Sequence, residues 1–528
     1  MMNKPSHLSL LSKILLPHQG LLKPAPSQVL VITVLIFLVN YLFFRSVYLY
    51  YASCGPLERI LAFFFLGSEF FIMFHAVGYF FNVLRLNRQP DNYPVQDLVD
   101  EPPVAILIPA RHEPKEVVER TLLACYNIDY KNKVIYLLDD STLEQYKKEA
   151  QELSKEFGTR IFSRDVHRGA KAGIINDVNQ TLKEKYIAIF DADQNPMPHF
   201  LKILVPILEK QPLLAFVQTP QFYTNCSSNR VSLTANFQQA IFYEYICEGK
   251  NTNGTMMCCG TNVVLRRNVL LEIGGFDENT VTEDFATSLN LHMKGWETLY
   301  VNMPLVFGMA PEDLVEYFKQ QSRWALGNTQ VFKKVVKNLF TKPWSLSFMQ
   351  WFDYLITGTY YFIGWAYLCL FLCQLIYTFF SVPAFFMNPY VYSLSFTPYF
   401  LLALGVFYSS MGLRHYKFSN ILKTHLLTML SVPIYLRATL FGLFNVPVGF
   451  QVTNKTGATQ VPYTFLWVQI FLWALNLVAM TWGILRWVYE HNPGILFNVF
   501  WLFYHALVFS SLFYFNESGS APEFEEEL

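Results

Sequence analysis

The sequence predicts an α/β, Rossmann-like domain inserted between two groups of membrane-spanning helices. Three observations carry the prediction. Charged residues make up only 15% of the chain and hydrophobic ones 52%, against about 25% charged in soluble proteins. Apolar runs long enough to cross a bilayer stand near both ends. Between them lies a polar region in which short apolar stretches alternate with helix-like ones.

The spans come first. Residues 1–27 carry Lys4, Lys13 and Lys23 with no signal-peptide cleavage pattern, and read as a cytoplasmic N-terminus. Gln28 to Tyr50 and Ile60 to Leu84 supply two spans within 28–84; at about 1.5 Å per residue each crosses a core of about 30 Å. Arg85 and Arg88 follow the second, so the polar region is expected in the cytoplasm. Four more spans are expected within 352–515, near 352–380, 392–413, 464–487 and 493–515, with Arg414, His415 and Lys417 on the cytoplasmic side. Lys423, Thr428, Pro433, Arg437 and Thr439 make 418–446 a poor lipid-facing segment, and it is expected to lie in the interface. That totals six spans, with the acidic tail 516–528 disordered and cytoplasmic.

The polar region follows a Pro- and Asp-rich linker at 89–103. Val104–Ala110, Val134–Asp140, Tyr186–Asp193 and Leu214–Pro220 read as strands. Helices are expected over Lys115–Tyr126, Leu143–Phe157 and Ala170–Lys183. Near-continuous apolar strands alternating with helices predict a parallel sheet covered on both faces. Ligands on such sheets bind beyond the carboxyl ends of the strands, where Asp139-Asp140 and Asp191-Ala192-Asp193 stand. Further on, Ser232–Glu248 reads as an amphipathic helix. In Pro311–Phe340, Lys333, Lys334 and Lys337 alternate with Val and Phe, the pattern of a membrane-interface helix.

The net charge of +0 offers no general attraction to nucleic acid, and no such partner is expected. The cysteines form no metal-type C-x-x-C pair, and the adjacent Cys258 and Cys259 are poorly placed for a disulfide, which points to reduced thiols. A transporter would place ionisable groups at mid-membrane, and the spans carry few.

Two motifs close the polar region. Thr282-Glu283-Asp284 reads as a helix start with Thr as its capping residue. Gln320-Gln321-Ser322-Arg323-Trp324 falls on a helix, with Gln320 one turn before Arg323 and Trp324. An Arg fork suits phosphate oxygens, and a Trp face suits the C–H face of a sugar ring. Each motif alone has a bland reading, a solvated helix start or a packed pair. Their weight comes from what precedes them in order: Pro109-Ala110-Arg111-His112-Glu113, Asp139-Asp140, His167-Arg168-Gly169-Ala170-Lys171-Ala172-Gly173, Asp191-Ala192-Asp193, Gln218-Thr219-Pro220 and Cys259-Gly260-Thr261-Asn262.

With these motifs in this order, the chain resembles the processive membrane family-2 glycosyltransferases, specifically the bacterial cellulose synthase catalytic subunits, over residues 100–515. Phe450-Gln451-Val452-Thr453-Asn454-Lys455 matches that family's gating-loop motif, within 448–460. The resemblance implies a glycosyltransferase-A-type cytoplasmic domain at 100–343 in an integral plasma (inner) membrane protein. It implies polymerisation of glucose from UDP-glucose into a β-glucan, with inversion, and export through the protein's own channel. Another β-linked polysaccharide, or transfer to a lipid-linked acceptor, is the alternative.

The same resemblance assigns roles. Asp284 would be the general base on the acceptor hydroxyl. Asp193, with Asp191, would anchor Mg²⁺ or Mn²⁺ on the diphosphate. Arg323 and Lys171 would offset charge on the departing diphosphate, with Gln320 beside them on the donor. Glu113, Asp139 and Asp140 would line the uridine side. Trp324, Cys259, Glu283 and Thr282 would face the acceptor, and Phe450, Val452, Thr453 and Lys455 would cover the donor. The implied partners are a UDP-sugar, the growing polysaccharide, membrane lipid and accessory export or polymer-binding subunits. Two features differ from the family pattern. Met256-Met257-Cys258 stand where two Phe often precede the Cys-Gly, and regulation by cyclic-di-GMP through an Arg-rich segment after the last span is not expected.

Overall fold

The computed structural model describes residues 26–86, 95–226, 228–446 and 460–517. The leader 1–25, the gating-loop residues Phe450, Val452, Thr453 and Lys455, and the tail from 518 lie outside the described residues.

The first two spans are α1 (Gln28–Tyr51) and α2 (Pro56–Arg85). Pro56 sits in the first turn of α2, where its missing N–H costs no helix bond, and Glu58 reaches back to the Gly55 N–H at 2.8 Å. The apolar pattern of this pair conceals an ion pair. Arg45 donates to Glu69 at 2.9 Å while its guanidinium lies 4.2 Å over the Phe385 ring, and Arg45 is 1% exposed. Either charge buried alone would be strongly destabilising, so the two are present as a pair.

The polar region runs β1 (Val104–Ala110), α3 (Lys115–Tyr126), β2 (Lys133–Asp139), α4 (Glu144–Glu156), β3 (Arg160–Ser163), α5 (Ala170–Asn179), β4 (Tyr186–Ile189), β5 (Asn195–Pro196), α6 (Phe200–Lys210), β6 (Leu214–Gln218) and β7 (Phe222–Tyr223). A long helical stretch follows: α7 (Arg230–Ile241), a π-helical turn (Phe242–Cys247) and α8 (Glu248–Thr252). Then come β8 (Val263–Arg266), α9 (Arg267–Glu272), α10 (Glu283–Met293), β9 (Glu297–Tyr300), β10 (Val306–Gly308) and α11 (Leu314–Thr341). The remaining helices are α12 (Phe348–Thr359), α13 (Ile363–Phe380), α14 (Pro389–Leu413), α15 (Phe418–Leu430), α16 (Val432–Phe444), α17 (Trp467–Glu490) and α18 (Pro493–Phe515).

Seven strands form the main sheet in the order β3-β2-β1-β4-β8-β6-β9, and β5-β10-β7 form a small second sheet. Along β1 the alternation is plain: Val104, Ile106 and Ile108 enter one helix-covered layer, Ala105 and Leu107 the other. The sheet is mixed, and the expectation of a parallel one is corrected at β8. That strand runs antiparallel to both β4 and β6, while β1, β2, β3 and β4 are parallel neighbours. A short strand buried on both faces has the same composition in either direction, so its sense is invisible in its residues. Strand ends are also shorter than expected: β4 stops at Ile189 and β6 at Gln218. Asp191 and Asp193 therefore stand in the turn past β4.

A second correction concerns Ser232–Glu248. From Arg230 to Thr252 no residue is exposed, so this helix has no solvent face. It is sandwiched, with α7 against α11, α15 and α18 and its later turns against α2. Asn229 starts it by accepting from the Ser232 N–H at 2.9 Å.

Six helical stretches among the described residues are long and apolar enough to span a bilayer: the two above and Phe348–Phe380, Pro389–Leu413, Tyr463–Glu490 and Pro493–Phe515. Helices α15 and α16 are bent by 48° at Ser431. Helix α15 packs on α7 and α16 along α11, both elements of the polar region. A bent pair so held is expected to enter and leave on one side. Single cysteines at positions 417 and 446, in protein freed of its native thiols, should therefore label from the same side; labelling from opposite sides would make the pair a seventh span.

Candidate active site

Ile189 and Gln218 both pair with Val263, the first residue of β8. The carboxyl ends of β4 and β6 thus share one sheet edge with the amino end of β8. That places the loop Cys259-Gly260-Thr261-Asn262 beside Asp191 and Asp193. Thr261 Oγ1 accepts from the Asp191 N–H at 2.9 Å. Gln218, fully buried, holds the loop from below: its Oε1 accepts from the Cys259 N–H at 2.9 Å and its Nε2 donates to the carbonyls of Thr261 and Asn262 at 2.7 and 3.1 Å. The motif assigns Gln218 no role; a buried amide binding four backbone groups, the Thr219 carbonyl among them, is a tertiary fact.

Gly260 brings the charged groups together. Its φ of +78° lies in the left-handed region, and a Cβ there would sit 3.0 Å from Asp284 Oδ2 and 3.5 Å from Lys171 Nζ. Lys171 donates to the Gly260 carbonyl at 2.8 Å and pairs with Asp191. Asp284 Oδ1 accepts from the Phe285 N–H at 2.7 Å, which leaves Oδ2 on the Gly260 side. Burial, and then the charge of Glu283, raise the Asp284 carboxyl from 3.8 to about 7. Burial raises Glu283 as well, against the pull of Lys171 and Arg323. Lys171 is kept above the usual lysine value: burial works to lower it, but Asp191, Glu283 and Asp284 surround it.

The corner at Thr282 meets α11 through a second glycine. A Cβ on Gly327 would lie 2.6 Å from Thr282 Oγ1 and 2.7 Å from the Thr282 nitrogen. Gln330, one turn on, accepts from the Val281 N–H at 3.0 Å. The expected capping role of Thr282 is corrected here. Its side chain turns into the space beside Gly327, makes no cap bond, and its buried Oγ1 has no hydrogen-bond partner among the described residues. Trp324 and Val281 pack with Tyr361, Tyr435 and Ala438, at the junction with the spanning helices. Gln320 lies within reach of the Tyr223 phenol, which accepts from Gln239 Nε2 at 3.2 Å and lies near the charge of Asp193. Arg323 is near enough to Glu283 for its charge to oppose the rise that burial imposes on that carboxyl. Cys259 is partly exposed, with its thiol in hydrogen-bonding reach of Cys247 and Tyr243.

Asp139 and Asp140 stand apart from this cluster, at the end of β2. Asp139 Oδ1 accepts from the Ser141 N–H at 3.0 Å. Asp140 is occupied by Arg164, at 2.7 and 2.9 Å, and by His167 at 2.7 Å; despite burial these hold its carboxyl below the usual range. Arg164 lies outside every motif of the sequence. Glu113 sits partly exposed in the neighbouring loop, which His112 ties to Ser141 with an N–H bond of 3.1 Å.

Among the described residues no group of three or more His, Cys, Asp or Glu could hold a metal by itself. Asp191 and Asp193 offer hard carboxylate oxygens to a divalent ion that draws its remaining ligands from a phosphate, the usual arrangement for Mg²⁺. The donor set fits such a shared ion.

Because the Gly327 contact involves the Thr282 backbone, no side-chain rotation relieves a methyl there. Gly327→Ala should destabilise the protein by about 1–3 kcal/mol, read by thermal unfolding. An unchanged melting temperature would mean that the corner and helix can part.

Comparison with known proteins adds sequence likeness to this geometry. Residues 102–327 match the family described as Glycosyltransferase like family 2, and residues 215–517 match Cellulose synthase. A UDP-forming cellulose synthase catalytic subunit of Xanthomonas axonopodis pv. citri (strain 306) is 30% identical over 470 residues, 86% of this chain and 63% of that protein. The corresponding subunit of Pseudomonas fluorescens (strain SBW25) is 27% identical over 81% of this chain and 57% of its own length. Cellulose synthase 2 of Novacetimonas hansenii is 28% identical over 84% of this chain, which spans only 28% of it. Among solved structures, the mannosyltransferase PcManGT from Pyrobaculum calidifontis, in complex with GDP-Man and Mn²⁺, aligns with a TM-score of 0.53 at 16% identity, covering 73% of this chain and 100% of its own. That likeness shows a common glycosyltransferase-A-like fold.

Proposed function

The chain belongs to the cellulose synthase family, and from that premise we propose that it is a processive, inverting glycosyltransferase which polymerises glucose from UDP-glucose into a β-glucan. The observation that carries the reading is Asp284, a carboxyl raised to about 7 beside Lys171 and the Asp191–Asp193 turn. A base with a pKa near neutrality combines availability with proton affinity.

In this reading Asp284 takes the proton of the acceptor hydroxyl as that oxygen attacks the anomeric carbon. No side chain is assigned as a covalent nucleophile, so a single displacement inverts the centre. Lys171 and Arg323 would offset charge on the departing diphosphate. Asp193 with Asp191 would hold a divalent ion, Mg²⁺ or Mn²⁺, which supplies further neutralisation of the diphosphate. Trp324 offers the acceptor an aromatic face at the junction with the spanning helices, with Cys259 and Glu283 around it, and Thr282, buried against Gly327, supports that corner from behind. Glu113 and Asp139 line the uridine side, where Asp140 acts through Arg164 and His167.

We further propose that the domain at 100–343 faces the cytoplasm from the plasma (inner) membrane and that product leaves through the spans. Gln374, Asn476 and His505 are buried among the spanning helices, and Gln374 Oε1, Asn476 Oδ1 and His505 Nδ1 lack a protein partner among the described residues. Such groups suit the hydroxyls of a sugar chain, which lipid cannot satisfy.

Purified protein given UDP-glucose should release UDP and form a polymer cut by a β-1,4-specific glucanase. A product resistant to that enzyme, or sugar recovered on lipid, would favour another linkage or a lipid-linked acceptor. Asp284→Asn should lower kcat by about 10²–10⁴-fold while UDP-sugar still binds; near-normal kcat at saturating donor would remove it from the chemistry. Since the carboxylate is the active form, kcat/KM should fall about tenfold per unit as pH drops below the Asp284 value of about 7. Chelation should abolish turnover, Mg²⁺ or Mn²⁺ should restore it, and Asp193→Ala should stay inactive; full turnover in excess chelator would exclude the metal role.

A further inference from the structure

The loop Thr255–Gly260 is held at its catalytic end by Gln218 and Ser288. Cys258 N–H donates to Ser288 Oγ at 2.8 Å, and that hydroxyl donates to the Asp284 carbonyl at 2.8 Å. Between the ends, the Met256 carbonyl accepts from Thr298 Oγ1 at 2.8 Å. Residues 255–258 are all buried and form neither helix nor strand, so side-chain bonds set the path of this segment.

Its other end rests on the third span. Asp353, 5% exposed in the second turn of α12, accepts through Oδ2 from Thr255 Oγ1 at 2.9 Å and from Asn253 Nδ2 at 2.6 Å. Arg85, the last residue of α2, donates to both carboxylate oxygens at 3.1 and 3.2 Å. Lys250, 4% exposed, donates to the Asp353 carbonyl at 3.2 Å, and Gln350 donates to the Gly254 carbonyl at 3.2 Å. The approach to α2 is equally close, since a Cβ on Gly249 would meet Asn82 Cβ at 2.6 Å. Arg85 and Asp353 alone would join α2 to α12. The bonds from Thr255 and Asn253 do more, because they tie that ion pair to the chain that leads to Cys259 and Gly260.

We infer that Asp353 is a positioning residue, which sets the Cys259–Gly260 loop against Asp284 by holding Thr255 on the third span. The inference rests on the transfer reaction proposed above, in which that loop lies between base and acceptor. A loop anchored in this way keeps its register to Asp284 as each sugar is added, and loosening it should slow transfer and shorten the product without weakening donor binding.

Thr255→Val in the full-length protein removes the hydroxyl, and with it the bond to Asp353 and a longer 3.2 Å contact with the Lys250 carbonyl, while keeping the shape of the side chain, the Thr255 N–H bond to Lys250 and the Arg85–Asp353 pair; Thr255→Ser keeps the hydroxyl. The valine variant should lose about tenfold in kcat, make shorter polymer and retain the parent KM for UDP-glucose, and the serine variant should recover parent rates and lengths. In hydrogen exchange, the amides of Cys258, Cys259 and Gly260 should exchange faster in Thr255→Val than in the parent or Thr255→Ser, with or without donor. Unchanged exchange in Thr255→Val, or parent kcat and product length in an active enzyme, would overturn the positioning role. A parent that releases UDP from no UDP-sugar would instead overturn the transfer reaction, while the exchange comparison still judges the tether.

Discussion

The site depends on the approach of Asp284 to the backbone at Gly260. Any side chain at that position would stand 3.0 Å from Asp284 Oδ2 and crowd Lys171, and the φ of +78° would strain it as well. Only with the space left open can an acid from α10, a lysine from α5 and an acid from the β4 turn share one small volume. Their mutual charges then do the chemical tuning. Burial removes water from Asp284, Glu283 adds a like charge, and Lys171 stops the cluster from becoming wholly acidic. A carboxyl poised near neutrality is the product of that balance.

The sheet makes the approach geometrically available. In an all-parallel sheet the segment before β8 would begin at the opposite edge, far from the turn after β4. Reversing β8 carries the loop to the edge where β4 and β6 end, and Gln218 then binds it in place. On the other side, Gly327 lets α11 press on the Thr282 corner, so the helix carrying Gln320, Arg323 and Trp324 cannot move without moving Asp284. Helix α16 continues the stack, since a Cβ on Gly442 would meet Thr329 Cβ of α11 at 2.7 Å. The Thr282–Asp284 corner is thereby packed, layer on layer, onto the apolar helices.

This joining of a polar domain to spanning helices also accounts for the burial of α7 and the π-helical turn, which run between the two parts with no exposed residue. Extra turns of this kind recur at functional sites because they re-aim side chains by one position. Here the turn carries Tyr243 and Cys247 toward Cys259. The polar domain and the spanning helices meet there in one packed body.

Much of this was legible in the residues themselves. Apolar length is a local property, and the six spans appear within a few residues of where hydropathy sets them. Strand β1 and helix α3 match their expected limits because period and punctuation are also local. The motif acids could be picked out because Asp-x-Asp, Thr-Glu-Asp and Gln-x-x-Arg-Trp occur in order along one chain. What the residues could not state was anything that depends on a partner distant in sequence. The direction of β8, the burial of α7 through α8, the turning of Thr282 toward Gly327, and the pairing of Arg164 with Asp140 each follow from which segment lies opposite. Hydropathy and spacing determine which stretches can form helices and strands; only close packing decides which side chains meet, because that is settled by distances of a few tenths of an ångström between residues more than twenty positions apart.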